Sequence, residues 1–407
     1  MASTRVKQSV HVTLRALRGR GVLDSIDELA RTITADQLAI CEIPAPPFGE
    51  GRRAQYLCER LASLGLAEIS KDEEGNVIAL VQGGARKPVV VIAAHLDTVF
   101  PDGLEVRVRV ENGRLYAPGI SDNASGLAAL LALARAIRSY DLAPDGTLIL
   151  LATVGEEAHG NLRGVRHFFA RNKWVLESGV DAFIALDGHG LERIVHRGLG
   201  SRRFRVQMSG PGGHSWGDFG MVNPIHAIAN LVVRLAEYPF GDEPRSSLNV
   251  GMIRGGRSVN AIPQTASVDV DMRSTDGARI DRLEEFLRRA AEETAVLEQH
   301  RVGDLHGRIQ VEVQLLGERP AGEIPQECDL LQVAIQATRA FGIEPKFESA
   351  STDANIPISM GIPAIALGSG GLAGGVHTLH EWYDPCTRET GIKRVLLTAL
   401  TMVGLAS

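Results

Sequence analysis

Several stretches of the chain are apolar without alternation. KPVVVIAAHLDTV, TLILLATVGEE, VDAFIALDG and, much later, PAIALGSGG each hold a short continuous hydrophobic run that ends in polar residues or glycine. Runs of this length read as strands buried on both faces. Between them the apolar positions recur at helical spacing, in SGLAALLALARAIRSY, VRHFFARNKWV, DLLQVAIQATRAFG and residues 387–405. Residues 24–43 and 51–65 carry the same periodicity upstream. Buried strands separated by helices predict an α/β fold with a mainly parallel sheet sandwiched by helices.

From about residue 199 the pattern changes. SRRFRVQMSG alternates, 222–237 is helical, SLNVGMIRGG and TASVDVDMRST alternate again, 278–298 is a long charged helix and RIQVEVQLLG is a strand. The order β-α-β-β-α-β is that of a ferredoxin-like α+β unit. After Pro320 the α/β pattern returns. The chain therefore reads as one domain built from 1–198 and 317–407, with a smaller domain, 199–316, inserted where the ends of a loop lie close together.

Composition narrows the function classes. The 407 residues carry 43 Lys+Arg against 49 Asp+Glu, a formal charge of −6, the opposite of a nucleic-acid-binding surface. No run approaches the roughly 20 apolar residues of a membrane span. The N-terminal stretch has five basic residues and no acidic one but lacks the apolar core and cleavage site of a secretory signal, so a helical or mobile arm is expected. The four cysteines, Cys41, Cys58, Cys328 and Cys386, are scattered without a CxxC pair. They suit a reducing cytoplasm and leave any metal to be held by His, Asp and Glu.

Open α/β sheets gather ligands at the carboxyl ends of their strands, and here those ends are rich in donors. The first strand ends in His95-Leu96-Asp97, the loop before the next helix holds Ser121-Asp122-Asn123, and the next strand runs into Glu156-Glu157. Asp187 follows the third, and GVHTLHE, with His377, His380 and Glu381, follows the last. Singly each has an ordinary explanation; Asp122, for instance, precedes a helix and could cap it. Together, from distant segments and at one predicted edge, they point to a metal centre. Asp97, two residues after His95, is placed to hold the far nitrogen of its ring. In the glutamate pair one carboxylate can bind metal while the other serves as a base. Imidazole and carboxylate without thiolate suit zinc, with cobalt or manganese as alternatives.

The set VVIAAHLDTV, APGISDNASGLAALL, ATVGEEAHG, ALDG, SGPGGHSW, VNAIP, VDVDMR, STDAN and GGVHTLHEWYDP resembles the co-catalytic di-zinc amidohydrolases. These include tripeptidases of the peptidase T type, carnosinase-type dipeptidases, glutamate carboxypeptidases, aminoacylases, and acetylornithine and succinyl-diaminopimelate deacylases. The resemblance runs from about residue 40 to the C-terminus. It implies that Asp122 bridges two ions, that His95 and Asp187 complete one site, and that Glu157 and His377 complete the other. It makes Glu156 the general base and Asp97 the partner of His95. It favours His377 over His380 as ligand because Glu381 follows at the family's spacing. It further implies that His214, in the glycine-rich turn of the inserted domain, steadies the oxyanion from across a homodimer formed by that domain, and that Asn260 and Arg273 recognise substrate. Members of the peptidase T and carnosinase types carry Asp at the position of Asp187, where the carboxypeptidase and deacylase branches usually carry Glu, so the resemblance leans toward a short peptide as substrate, with an N-acyl amino acid or a C-terminal residue as rivals.

Overall fold

The computed structural model describes residues 3–302 and 307–406. Two compact units divide the chain: Met1–Gly198 with Glu323–Ser407, and Leu199–Gly322. The boundary expected at residue 316 falls inside a strand, because Gln310–Arg319 stays paired with Gly200–Ser209 as far as Arg319 opposite Ser201.

In the first unit the continuous apolar runs are the middle of the sheet. Thr147–Thr153, Val89–His95, Ala182–Leu186 and Ala364–Leu367 lie side by side in that order, all parallel, and every residue in them is buried. A strand with neighbours on both edges and no solvent on either face has no use for alternation. The margins are different. Val77–Gln82 is antiparallel to Thr147–Thr153, and Arg193–Gly198 is antiparallel to Ala364–Leu367 while pairing in parallel with Lys346–Ala350. The helices Ala124–Ser139 and Arg388–Val403 pack against Val89–His95 and Thr147–Thr153.

The basic N-terminal stretch is helical over Thr4–Gly19 and sends Val6, Val10, Leu14 and Leu17 into the core. It is part of the fold, not an arm. The helical pattern of 24–43 resolves into Val22–Glu28 and Ala30–Cys41, interrupted at Leu29. Among the described residues no helix is long and apolar enough to cross a membrane, and all four cysteines are free.

The second unit has a four-stranded antiparallel sheet in the order Ser246–Gly255, Thr265–Ser274, Gly200–Ser209, Gln310–Arg319. This is the ferredoxin-like order, with its own core: Phe204, Val206, Met208, Val268, Val270 and Met272 meet Ile228 and Leu231 of Pro224–Ala236 and Leu283 and Leu287 of Gly277–Val302.

Candidate metal centre

Four strand or loop ends of the first unit converge on Asp122. Its Oδ1 lies 3.0 Å from His95 Nε2 and its Oδ2 lies 3.0 Å from His377 Nε2, while His377 Nε2 is also 3.1 Å from Glu157 Oε1. Three clusters of donor atoms, each within 4.8 Å, follow: His95, Asp122 and Asp187; Asp122, Glu157 and His377; and His95, Glu156 and Glu157. The first two share Asp122, so two imidazoles and three carboxylates surround two adjoining positions. Hard and borderline donors in that density fit a pair of divalent cations.

Each donor is held by its neighbours. His95 closes a strand hydrogen-bonded on both edges. Asp122 does not cap the helix that follows; the capping position is Asn123, whose side chain makes no capping bond. Instead the amides of Gly119, Ser121 and Asp122 all donate to the carboxylate of Glu381, at 2.8–2.9 Å. Glu381 is buried, so this turn has its amides satisfied from 260 residues away and Asp122 is fixed. The spacing of Glu381 from His377 was visible in the sequence; its service as an acceptor for a distant turn was not, since backbone amides leave no mark on residue type.

Asp97 lies beside the His95 ring, but not as strand alternation would present it. The strand ends at His95, so the two side chains are not presented by a regular pleat. His95 Nδ1 is nearer the Asp97 carbonyl, 3.1 Å, than its carboxylate, 3.6 Å. The carboxylate instead accepts the amides of Glu156 and Glu157, at 2.9 and 2.7 Å. Asp97 thereby fixes the glutamate pair while its backbone orients His95. The glutamate turn is tight as well: Gly155 has φ 64°, and a Cβ on Gly160 would lie 2.4 Å from the Gly155 Cα.

The electrostatics follow from crowding. Burial pushes the His95 imidazolium down, yet Asp122 and Asp97 hold it well above its usual value. His377 is raised to about 10 by Asp122 and Glu157. Burial works against the Asp122 carboxylate, but His377 and His95 outweigh it and hold the group below the usual carboxylate range. Asp187 goes the other way, up to about 6, through burial and the nearby charge of Asp122. Burial also lifts Glu381 to about 7 against its three amide donors. His380 belongs to none of the clusters and is exposed.

His214, Asn260 and Arg273 belong to the second unit. His214 and Asn260 are neighbours: Gly213–His214 pairs with Ala261–Ile262, and the Ser215 amide donates to the Asn260 carbonyl at 3.0 Å. The amides of Trp216 and Gly217 donate to His214 Nδ1, at 3.1 and 3.3 Å. An accepting Nδ1 puts the proton of the neutral ring on Nε2. Arg273 is elsewhere, near the other end of Thr265–Ser274, where it donates to Asp271 at 2.7 Å.

A family model for peptidase family M20/M25/M40 matches residues 91–401. The chain belongs to that family. It is accordingly a metal-binding hydrolase, an amidohydrolase or peptidase. Succinyl-diaminopimelate desuccinylase of Xanthomonas oryzae pv. oryzae is 31% identical over 300 residues, which cover 69% of this chain and 73% of that protein. A tripeptidase from Staphylococcus aureus has the same fold, with a TM-score of 0.75 at 21% identity over 91% of this chain and 97% of its own. So does a dinuclear metal-binding peptidase of the family from Bacillus subtilis, with a TM-score of 0.67 at 16% identity over 93% of this chain and 100% of its own.

Proposed function

We propose that this protein is a di-metal exopeptidase that hydrolyses the amide bond of short peptides, releasing an N-terminal residue. The observation that carries the reading is Asp122, whose two oxygens face two different histidines at 3.0 Å each. In this reading His95 and Asp187 would hold one divalent cation, Glu157 and His377 would hold the other, and Asp122 would offer an oxygen to each. Zinc suits the donors first, with cobalt or manganese as alternatives. Such ions, when bound, polarise an amide carbonyl and make water more acidic.

The protein's own groups supply the rest. Glu156, held by its amide on Asp97, takes the proton of the attacking water and later gives it to the leaving amine. His214, with its proton on Nε2, donates to the oxygen of the tetrahedral intermediate. Asn260 lies beside His214 and contacts the substrate carbonyl; Arg273 pairs with a substrate carboxylate. About 26 Å of extended strand separates Thr265, close to the His214 turn, from Arg273. In this reading a homodimer forms through the 199–322 unit and each protomer supplies His214 to the other's metal centre. A reducing cytoplasm suits the free cysteines.

A second reading has its own support: the 31% identity to a desuccinylase makes an N-acyl amino acid the rival substrate, with carboxypeptidase action as a third option. Free dipeptides and tripeptides, their C-terminal amides, and N-acetyl and N-succinyl amino acids, each assayed with zinc, cobalt and manganese, discriminate the three. Turnover of free tripeptides but not of N-acylated amino acids is expected; the reverse result overturns the peptidase reading.

A further inference from the structure

The STDAN segment brings one more carboxyl to the metal centre without contributing to any of its donor clusters. Asp353 is buried, and its Oδ2 accepts a hydrogen bond of 2.5 Å from the Thr153 hydroxyl, 200 residues away in the chain. The segment that presents it is closed on itself. The Thr352 amide donates to Asn355 Oδ1 at 2.9 Å, the Ala354 amide to Thr352 Oγ1 at 3.2 Å, and the Asn355 amide to the Thr352 carbonyl at 3.0 Å. Thr352, Ala354 and Asn355 are all buried. Asp353 is thus delivered by a rigid turn.

Its partner is a junction. Thr153 stands opposite His95 in the parallel pairing of Val89–His95 with Thr147–Thr153. Its carbonyl accepts the amide of Leu96 at 2.7 Å, the residue between His95 and Asp97. Two residues beyond Thr153 the chain enters the turn that carries Glu156 and Glu157. One side chain therefore anchors the point where the His95 strand end and the glutamate strand end meet. The other oxygen of Asp353, Oδ1, is buried with no hydrogen-bond partner among the described residues. A half-satisfied carboxyl is a costly way to hold a hydroxyl, and such groups concentrate where a site demands them. Burial is the main influence on this carboxyl and lifts it to about 6; the Thr153 bond and His95 oppose the rise, while Asp97 and Asp187 add to it.

We propose that Asp353 is a positioning residue of the metal centre: through the Thr153 hydroxyl it fixes the paired strand ends that present His95, Glu156 and Glu157. The inference rests on the reading of these residues as a metal centre. It is a role in orienting groups that themselves bind, like that of other outer partners of metal ligands.

Four variants test it: Asp353→Ala and Thr153→Val, which break the bond, and Asp353→Asn and Thr153→Ser, which keep an acceptor and a donor. Retention of zinc against a competing chelator is measured for each, with kcat and KM beside it and thermal unfolding of the ion-free forms as the control for folding. Asp353→Ala and Thr153→Val are expected to weaken metal retention by about ten- to hundredfold and to lower kcat with KM little changed. Asp353→Asn and Thr153→Ser restore both. If Asp353→Asn fails as badly as Asp353→Ala, the carboxyl acts by its charge and the positioning role is wrong. Retention by Thr153→Val equal to that of the unaltered protein also overturns it. Should Asp353→Ala not fold, the two Thr153 variants decide. Failure of the underlying reading looks different: the unaltered protein itself would then retain no divalent cation.

Discussion

Around Asp122, ionisable side chains from distant segments are largely withdrawn from water and bonded to one another. On the Leu199–Gly322 sheet, the face turned away from its core carries charges in a different order. Arg203 pairs with Asp271 at 3.0 Å, Arg205 with Asp269 at 2.7 Å, Arg254 with Asp269 at 3.1 Å and Arg273 with Asp271 at 2.7 Å. All lie on one pleated face as cross-strand or same-strand neighbours, and most keep partial access to solvent. In the first region removing Asp122 leaves His95, itself buried, without its 3.0 Å partner. In the second each loss is refilled by water. The first arrangement suits ions and chemistry, the second suits adaptable recognition, and the two should answer mutation differently.

The largest effect belongs to Glu156. Glu156→Gln keeps size and hydrogen bonding but removes the base, and a fall in kcat of about 10²–10⁴-fold is expected with metal content unchanged. Steady-state kinetics and metal analysis on the same preparation check this. A variant that keeps its activity would sink the assignment, and one that loses metal would place Glu156 among the ligands instead, a reading that its cluster with His95 and Glu157 keeps in view.

His214 is the sharper comparison, because it is exposed yet credited with catalysis. His214→Ala should cost about 10²–10³ in kcat, the range of a lost oxyanion donor, while metal retention and thermal stability stay put. Mixing it with Glu156→Gln tests the exchange between protomers: if each chain lends its histidine to the other, the mixed dimer regains one intact centre. No recovery on mixing argues for a histidine that serves its own chain.

Acidity separates the regions again. The folded-state value of His377 is raised, so its contribution to the ion-free protein is complete below the ordinary histidine value near 6.5 and is lost as pH rises toward about 10. Asp122 is depressed, so its contribution is present above the usual carboxylate value and disappears on acidification. Ion-free protein should therefore lose stability as pH climbs from 6.5 to 10. Cations must displace protons from the histidines, so apparent affinity should rise by up to about tenfold per pH unit for each proton released. Calorimetry in two buffers of different ionisation heat measures that release; identical heats would mean the histidines are already neutral. The arginine–aspartate face should show no such dependence in this window.

How far the sequence foretold this contrast depends on what each element is made of. The central strands announced themselves, because full burial demands unbroken Val, Ile and Leu. Lys346–Ala350 did not: it is an exposed strand of mixed polarity, KFESA, held by pairing with Arg193–Gly198. The donors at strand ends were visible as residue types, and the structure brings His95, Asp122, Glu156, Glu157, Asp187 and His377 together. Their supports were less visible. Asp97 turned out to hold two amides more than an imidazole, Glu381 to hold a turn, and Asp353 to hold a hydroxyl, since hydrogen bonds to backbone or across 200 residues leave no periodicity to read. Arg273 shows the opposite limit: motif and residue type pointed to substrate, but they could not show that Asp271 already occupies its guanidinium.

That occupied guanidinium gives the smallest and most discriminating expectation. Asp271 is drawn below the usual carboxylate range by Arg273 and Arg203, against the effect of burial, so the pair is formed in the free protein. A substrate carboxylate must then compete with Asp271 or share the guanidinium with it. Arg273→Ala should raise KM for peptides with a free carboxylate by about two- to tenfold, the worth of one hydrogen-bonded contact, and leave KM for the corresponding C-terminal amides unchanged. Asp271→Ala should lower KM for the acids by releasing the guanidinium. Neither change should move stability by more than about 1 kcal/mol, as for other partly exposed ion pairs. If acids and amides respond alike to Arg273→Ala, Arg273 is one more rung of the charged face, and the recognition of the carboxylate end must come from another residue.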